Sequence, residues 1–206
     1  MIVSVVRRWG WRIVLGLTGG LAVHGAPPAG PCVVVANHTS HADTPALLAA
    51  LPARARPAVA AAADYWFCRP ARAWLCRLLV GGFPVRRGGG GSADLAATAA
   101  ARLARGRTVV IYPEGTRSRD GRLGTFHSGA AVLAARAGVP LVPVALTGTR
   151  DLLPVGRGWW RRRRVEAWFG PPVPHLDAAR AIIADFLATP GNHRPADRAE
   201  RQGVIP

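Results

Sequence analysis

Between residues 37 and 43 the chain reads Asn-His-Thr-Ser-His-Ala-Asp, so His38, His41 and Asp43 fall within six positions, straight after the β-branched run Val33-Val34-Val35. Two kinds of chemistry use such a cluster. A hydrolytic metal site wants the pattern His-x-His-x-Asp-His; aligned on His41 and Asp43, that pattern meets threonine at 39 and 44, and no later histidine-rich strand end replaces the missing ligands. A proton-transfer pair asks for less. A histidine, with an ordinary pKa of ~6.5, is a general base at neutral pH when a carboxylate fixes its tautomer and steadies the imidazolium. His38 with Asp43 supplies that pair, because a turn entering a helix can fold the aspartate back under the ring. His41 then has a local packing or hydrogen-bonding role, and no metal is expected. The chain lacks Gly-x-Ser-x-Gly, so no serine nucleophile is implied.

A second polar block, "YPEGTRSRDG", carries Glu114 and Arg117 around Gly115. The glycine lets backbone come close to a ligand, and the arginine fork suits a phosphate or carboxylate. Alone, this block reads more readily as an ordinary turn with a surface salt bridge. Arg86, in "FPVRR", is a third candidate.

The elements around these blocks place them together. Strands are predicted at Cys32 to Ala36, near Val59, at Phe83 to Val85, and over "TVVIY", "VPLVPVAL" and "VEAWFG". Helices are predicted from about Thr44 to before Pro52, from an N-cap at Asp64 through Arg77, over Leu95 to Arg105 (started by Ser92 and Asp94), over Gly129 to Ala137, and over Asp177 to Leu187. The alternation predicts an α/β fold: a single domain with a mixed, largely parallel sheet flanked by helices, plus an N-terminal interfacial helix. The expected divisions are a helix over 1–25, the main domain over 30–188, and a disordered tail over 189–206. His38, Arg86 and Glu114 then sit at the carboxyl ends of strands, where open α/β sheets bind ligands.

Composition narrows the partner. Half of the 206 residues are hydrophobic, yet the net charge is +16, carried by 27 arginines and no lysine. Apolar and basic surface must therefore coexist, which suits an anionic, partly apolar partner. Cys32, Cys68 and Cys76 form no Cys-x-x-Cys pair, so neither a zinc ribbon nor a disulfide framework is supported. The opening "RRWGWRIVLGLTGGLAV" interleaves Arg7, Arg8 and Arg12 with Trp9 and Trp11; its apolar part, Ile13 to Val23, is shorter than the ~17–25 residues of a spanning helix. It reads as a helix lying on a membrane, or as one packed on the core. Trp66, Trp74, Trp159 and Trp160 also lie beside arginines, which predicts one interfacial face built from three segments.

Asn37-His38 with Asp43, "FPVRR", "YPEGTRS" and "GVPLVPVAL" occur in the order found in the glycerolipid acyltransferases, and the chain resembles the 1-acyl-sn-glycerol-3-phosphate acyltransferases of that family over roughly residues 30 to 148. The resemblance implies transfer of a fatty acyl group from an acyl-CoA or acyl carrier protein thioester to the free hydroxyl of a lysophospholipid, without a covalent enzyme intermediate and without a cofactor. His38 would be the general base and Asp43 its partner. Glu114, Gly115, Thr116 and Arg117 would form the acceptor site with Arg86, and Pro140 and Pro143 would shape a pocket floor. Backbone N–H groups of the Asn37–Ser40 turn are candidate oxyanion donors. The expected location is the cytoplasmic face of the cell membrane, peripheral or monotopic, on an anionic surface.

One position departs from the family pattern. Where many members have Phe-Lys-x-Gly, this chain has Phe126-His127-Ser128-Gly129. If His127 helps hold the phosphate, acceptor affinity falls as pH rises and the ring loses its proton; otherwise the acceptor is another lyso-lipid or a glycolipid. A reading of a different class is a basic nucleic-acid-binding module using "GWWRRRR". It leaves His38, Asp43 and the Glu-Gly-Thr-Arg block without a purpose, so no nucleic acid partner is expected. A non-catalytic lipid-binding relative is disfavoured because His38 and Asp43 are both intact.

Overall fold

The computed structural model describes residues 1–86, 91–154 and 160–188, with only the backbone of 91–95. The "GGGGS" loop, Trp159, the Ser92 and Asp94 caps and the expected tail therefore lie outside the described side chains or residues. Seven strands form one sheet: β1 (Leu21–His24), β2 (Val33–Ala36), β3 (Ala58–Ala62), β4 (Gly82–Val85), β5 (Val109–Ile111), β6 (Leu141–Thr147) and β7 (Val165–Phe169), in the order β1-β7-β6-β2-β5-β3-β4. All neighbours are parallel except β6 and β7. The α/β expectation, mixed but largely parallel, holds.

The central strand β2 explains its own composition. Val33 and Val35 point into a core shared with α5 (Gly91–Ala104), α6 (Gly129–Ala137) and α8 (Leu176–Ala188), while Val34 and Ala36 point into one shared with α2 (Asp43–Ala50). A strand covered on both faces needs no polar alternation. α2 is itself buried at every position but Thr44, because the sheet lies on one side of it and α1 (Ile2–Leu17) on the other. A short helix apolar all round is stable only between two such layers.

Three elements differ from the sequence expectation. The N-terminal stretch is not one helix: α1 stops at Leu17, the turn through Gly19 and Gly20 reverses the chain, and Leu21–His24 joins the sheet as an edge strand beside β7. The helix expected from Asp64 to Arg77 is broken. One turn, α3 (Ala63–Trp66), precedes α4 (Pro70–Leu75) and a π-helical continuation over Cys76–Val80, with Arg69 extended at φ −131°, ψ 134°. Pro70 causes the break, since a residue before proline is pushed out of the α region. A fourth short helix, α7 (Thr149–Leu152), follows β6 and had no sequence signal.

Pro143 lies inside an internal strand, opposite Val35 of β2. It is tolerated because the ladder with β7 begins one residue later, at Val144, so no sheet partner requires its missing N–H.

α1 inverts the usual amphipathic arrangement. Ile2, Val6, Trp9, Ile13 and Leu17 form its exposed stripe, whereas Arg7, Arg8 and Arg12 are half-buried on the inner side. Arg12 donates to the Ala49 carbonyl at 3.2 Å and Arg7 to the Leu78 and Arg77 carbonyls at 2.9–3.1 Å, so the arginines cap the ends of neighbouring helices. Trp11 donates from Nε1 to Leu79 O at 2.9 Å and stacks on Trp160.

Candidate active site

β2 ends in Asn37, whose buried side chain replaces a backbone ladder: its Nδ2 donates to Leu146 O at 3.0 Å and its Oδ1 accepts from Leu146 N at 2.8 Å. That splice to β6 fixes where the next residue leaves the sheet. His38 emerges there, and α2 begins five residues later at Asp43. His38 Nδ1 lies 2.8 Å from Asp43 Oδ2, with the aspartate side chain fully buried and the histidine 18% exposed. The same Oδ2 accepts from the N–H groups of Thr39 at 2.7 Å and Ser40 at 2.8 Å. A carboxylate only accepts, so the imidazole proton sits on Nδ1 and the lone pair is left on Nε2. This arrangement can remove a proton from a hydroxyl placed against Nε2.

The expectation that backbone N–H groups of this turn form an oxyanion hole is overturned. Thr39 N and Ser40 N serve Asp43, and His38 N donates to Glu114 Oε1 at 2.7 Å. These three donors are spent on holding the pair together.

Glu114 is the second brace. It is nearly buried, with one carboxylate oxygen on His38 N and the other accepting from Gly124 N at 2.8 Å. Ser118 N donates to His38 O at 2.7 Å, so the loop after β5 grips His38 by both its N–H and its C=O. Beyond it, Arg150 of α7 donates to Asp120 O and Arg119 O at 2.8–2.9 Å and pins the far side of that loop. Gly115 and Thr116 are exposed at its tip, and a Cβ on Gly115 would stand 3.4 Å from the His127 ring, so His127 lies over the turn. His127 N donates to Pro113 O at 2.9 Å. Arg117, half-buried, stands close enough to act electrostatically on His41.

Arg86 is exposed just beyond β4, on the same carboxyl edge, but β5 and β3 separate its strand from β2. At ~4.8 Å per strand the two loops stand about 14 Å apart, a span suited to opposite ends of one substrate rather than to one reacting atom.

Sequence reasoning passed over Tyr112. Its ring stacks on His38 with centroids 4.0 Å apart and planes inclined by 16°, and its hydroxyl lies 3.0 Å from Thr44 Oγ1. Burial, and then the charge of Asp43, raise its pKa well above the ordinary value, so it stays a neutral phenol. An aromatic closing the strand immediately before Pro-Glu-Gly-Thr-Arg was the available signal. His41 packs one side against Tyr65 and Trp66, at 6.2 and 6.1 Å, and keeps the other open to solvent. Desolvation on the packed side, then the charges of Arg117 and His38, push its pKa down to about 4, so it is neutral near pH 7. Among the described residues no three His, Cys, Asp or Glu side chains converge as metal ligands.

Comparison with known proteins adds the lineage. A lyso-ornithine lipid O-acyltransferase of Pseudomonas aeruginosa is 36% identical over 152 residues, 73% of this chain and 56% of that protein. The chloroplastic 1-acyl-sn-glycerol-3-phosphate acyltransferase BAT2 of Brassica napus is 36% identical over 127 residues, 61% of this chain and 36% of that protein. The bovine (Bos taurus) 1-acyl-sn-glycerol-3-phosphate acyltransferase alpha is 31% identical over 152 residues, covering 73% of this chain and 52% of that one. This chain thus spans between about a third and a little over half of these relatives. The crystal structure of the Thermotoga maritima 1-acyl-sn-glycerophosphate acyltransferase PlsC has the same fold, with a TM-score of 0.70 over 98% of this chain and 81% of that one at 23% identity. Residues 21–147, most of the sheet together with both loops that grip His38, match the acyltransferase family, and the protein belongs to that family.

Proposed function

We propose that the chain moves a fatty acyl group from an acyl-CoA or acyl carrier protein thioester to the free hydroxyl of a lysophospholipid, most readily 1-acyl-sn-glycerol-3-phosphate, giving phosphatidate. The observation that carries this reading is the His38–Asp43 contact, 2.8 Å long, made through Nδ1 of a partly exposed ring. His38 Nε2 takes the acceptor proton as the oxygen attacks the thioester carbonyl, forming the C–O bond. The C–S bond then breaks, and the imidazolium returns its proton to the departing thiolate, so the donor leaves as a free thiol. A thiol with a pKa of ~8.5 departs with little acid help. Asp43 steadies the imidazolium through Nδ1–H, and no bond to the enzyme forms. Tyr112 covers one face of the ring and restricts it to that orientation. Arg117 and Arg86 are the cations on this edge that suit the acceptor's phosphate.

A second acceptor class is favoured by a specific pair of observations: the Pseudomonas aeruginosa relative is named for a lyso-ornithine lipid, and His127 stands over the Gly115 turn where many members carry lysine. Assay of one acyl-CoA against lysophosphatidate, other lysophospholipids and lyso-ornithine lipid, beside His38→Ala, tests both readings. Turnover of lysophosphatidate or of a lyso-lipid relative, lost in His38→Ala, is expected; turnover retained in that variant would sink the mechanism.

The working surface is proposed to be an anionic membrane. Among the described residues no helix is long and apolar enough to cross a bilayer. The α1 stripe and Trp74, Leu75, Leu78 and Leu79 are exposed side by side, joined by the Arg7 and Trp11 bonds to residues 77–79. An apolar face of this kind belongs at the headgroup boundary.

A further inference from the structure

The sheet has a second basic centre, on the edge opposite His38. Arg56 precedes β3, Arg107 precedes β5, Arg102 lies at the end of α5, and Arg77 lies in the helical turn that leads to β4; with Arg7 of α1 they line one open cleft of about 510 Å³, together with Met1, Val3, Phe83 and Pro84. These residues sit at the amino ends of β3, β4 and β5, whereas the candidate acyl-transfer chemistry lies at the carboxyl ends. Along β4 alone, from Gly82 to Arg86, the two levels are about 13 Å apart.

Four guanidinium groups, those of Arg7, Arg56, Arg102 and Arg107, gather there, and none is paired with a carboxylate among the described residues, whereas the Arg77 guanidinium lies over the Phe67 ring. Their protein partners are backbone carbonyls. Arg7 bonds Arg77 O and Leu78 O, Arg56 bonds Arg105 O, Arg102 bonds Thr98 O while lying over the Phe83 ring, and Arg107 bonds Arg56 O at 3.0 Å through Nε alone. Capping carbonyls would account for two donor atoms of Arg7 and one each of Arg56, Arg102 and Arg107, but each guanidinium has five N–H donors. Capping would not account for bringing four like charges together. The cost is visible: burial first, then the charge of neighbouring arginines, lowers Arg7, Arg102 and Arg107 below the ordinary arginine value. Gly81, which closes the preceding helical turn at φ +66°, lets the Arg7 guanidinium lie against the chain, since a Cβ there would stand 2.7 Å from Arg7 Nη1. Sites that break local rules at a stability cost are where ligands are expected.

We propose that this cleft is a second phosphate-binding site, separate from the catalytic edge, which takes the phosphomonoester or diphosphate group of an anionic ligand. Arginine forks match phosphate oxygens in pairs, and several converging forks select a group with more than one negative charge. The exposed apolar residues Met1 and Val3 line the cleft, so a phosphate on a membrane lipid reaches it as readily as a soluble one.

The test uses the full chain carrying Arg86→Ala and Arg117→Ala, which removes phosphate binding at the catalytic edge. Inorganic pyrophosphate at saturation is expected to raise its melting temperature by about 5 °C. Adding Arg102→Gln or Arg107→Gln should abolish that rise, and Arg102→Lys should keep most of it. If Arg102→Gln or Arg107→Gln lowers the ligand-free melting temperature, Arg56→Gln replaces it and should still halve the rise or more. Dihexanoyl phosphatidate as dispersed monomer identifies the source: binding at least tenfold tighter than pyrophosphate, and lost in the same variants, assigns the site to lipid headgroups, whereas comparable binding assigns it to soluble phosphates. No rise with either probe, or an equal rise in the glutamine variants, overturns the proposal. The outcome is independent of acyl transfer, because no assay here depends on His38.

Discussion

Asp43 holds three N–H groups on one oxygen, so its charge and its geometry can be separated. In Asp43→Asn the amide oxygen can still accept from Thr39 and Ser40, but the imidazolium loses its counter-charge. kcat should fall about 10³–10⁴-fold with KM little changed, on the scale seen for other histidine–aspartate pairs; a loss under tenfold in steady-state assays would mean that His38 is not the base. Glu114→Ala leaves the N–H groups of His38 and Gly124 without acceptors, each costing about 1–3 kcal/mol. A melting temperature lower by roughly 5–20 °C, measured by circular dichroism, is expected together with lost turnover. His41 behaves oppositely. Its pKa of about 4 lies below the ordinary 6.5, so the unfolded chain binds its proton first as pH falls. Its contribution to stability is complete above about pH 6.5 and is lost toward pH 4. Its ring proton resonances should stay flat from pH 8 to 5, and His41→Ala should keep most of the activity; losses as large as those of His38→Ala would revive the metal reading. The pairing of His38 with Asp43 was legible because five residues of turn and helix start bring them together by local geometry alone. Glu114 as a brace was not, since its partner lies 76 positions away and only the β2–β5 adjacency joins them.

Elements were legible where one physical cause dominated. Gly138 stops α6 in the left-handed region at φ +62°, as a helix pattern ending in glycine predicts. The continuous apolar runs of β2, β5 and β6 read as buried strands because nothing polar competed. The N-terminal stretch was misread because Leu21-Ala22-Val23 continues an apolar helical pattern, and only pairing with distant Val165–Trp168 selects strand. Proline before residue 71 was visible, yet the aromatic and basic periodicity on both sides of it argued for one helix. The Asn37 splice belongs to this scale, since one side chain joins β2 to β6 beyond the end of their backbone ladder. Asn37→Ala leaves two buried backbone groups unmet, at about 1–3 kcal/mol each. Asn37→Asp should cost more, because a buried carboxylate would face the Leu146 carbonyl. Denaturant midpoints that order the two variants the other way would show that the amide contributes shape and not bonding.

At the scale of the whole molecule, α1 leads into one edge strand and begins beside the other, so a single helix crosses the outside of the domain with its apolar stripe outward. Trp9 and Trp74 are 54% and 61% exposed. Replacing both with serine should weaken partition onto anionic vesicles about 10–100-fold, from the apolar area each withdraws from water. Raising salt should weaken the remainder, with each arginine near the surface contributing ~1 kcal/mol. Equal binding to neutral and anionic vesicles would refute the charge component. The β1–β7 pairing has a consequence in time. The first strand made is about 140 residues ahead of its only neighbour in the sheet among the described residues. At ~5–20 residues per second on a ribosome, roughly 7–30 s pass before β7 exists. Until then β1 is an unclaimed hydrogen-bonding edge, and a chain stalled anywhere before Val165 cannot close it. Completion of this fold is therefore an event of late translation, and refolding from denaturant should be slow for a domain of this size.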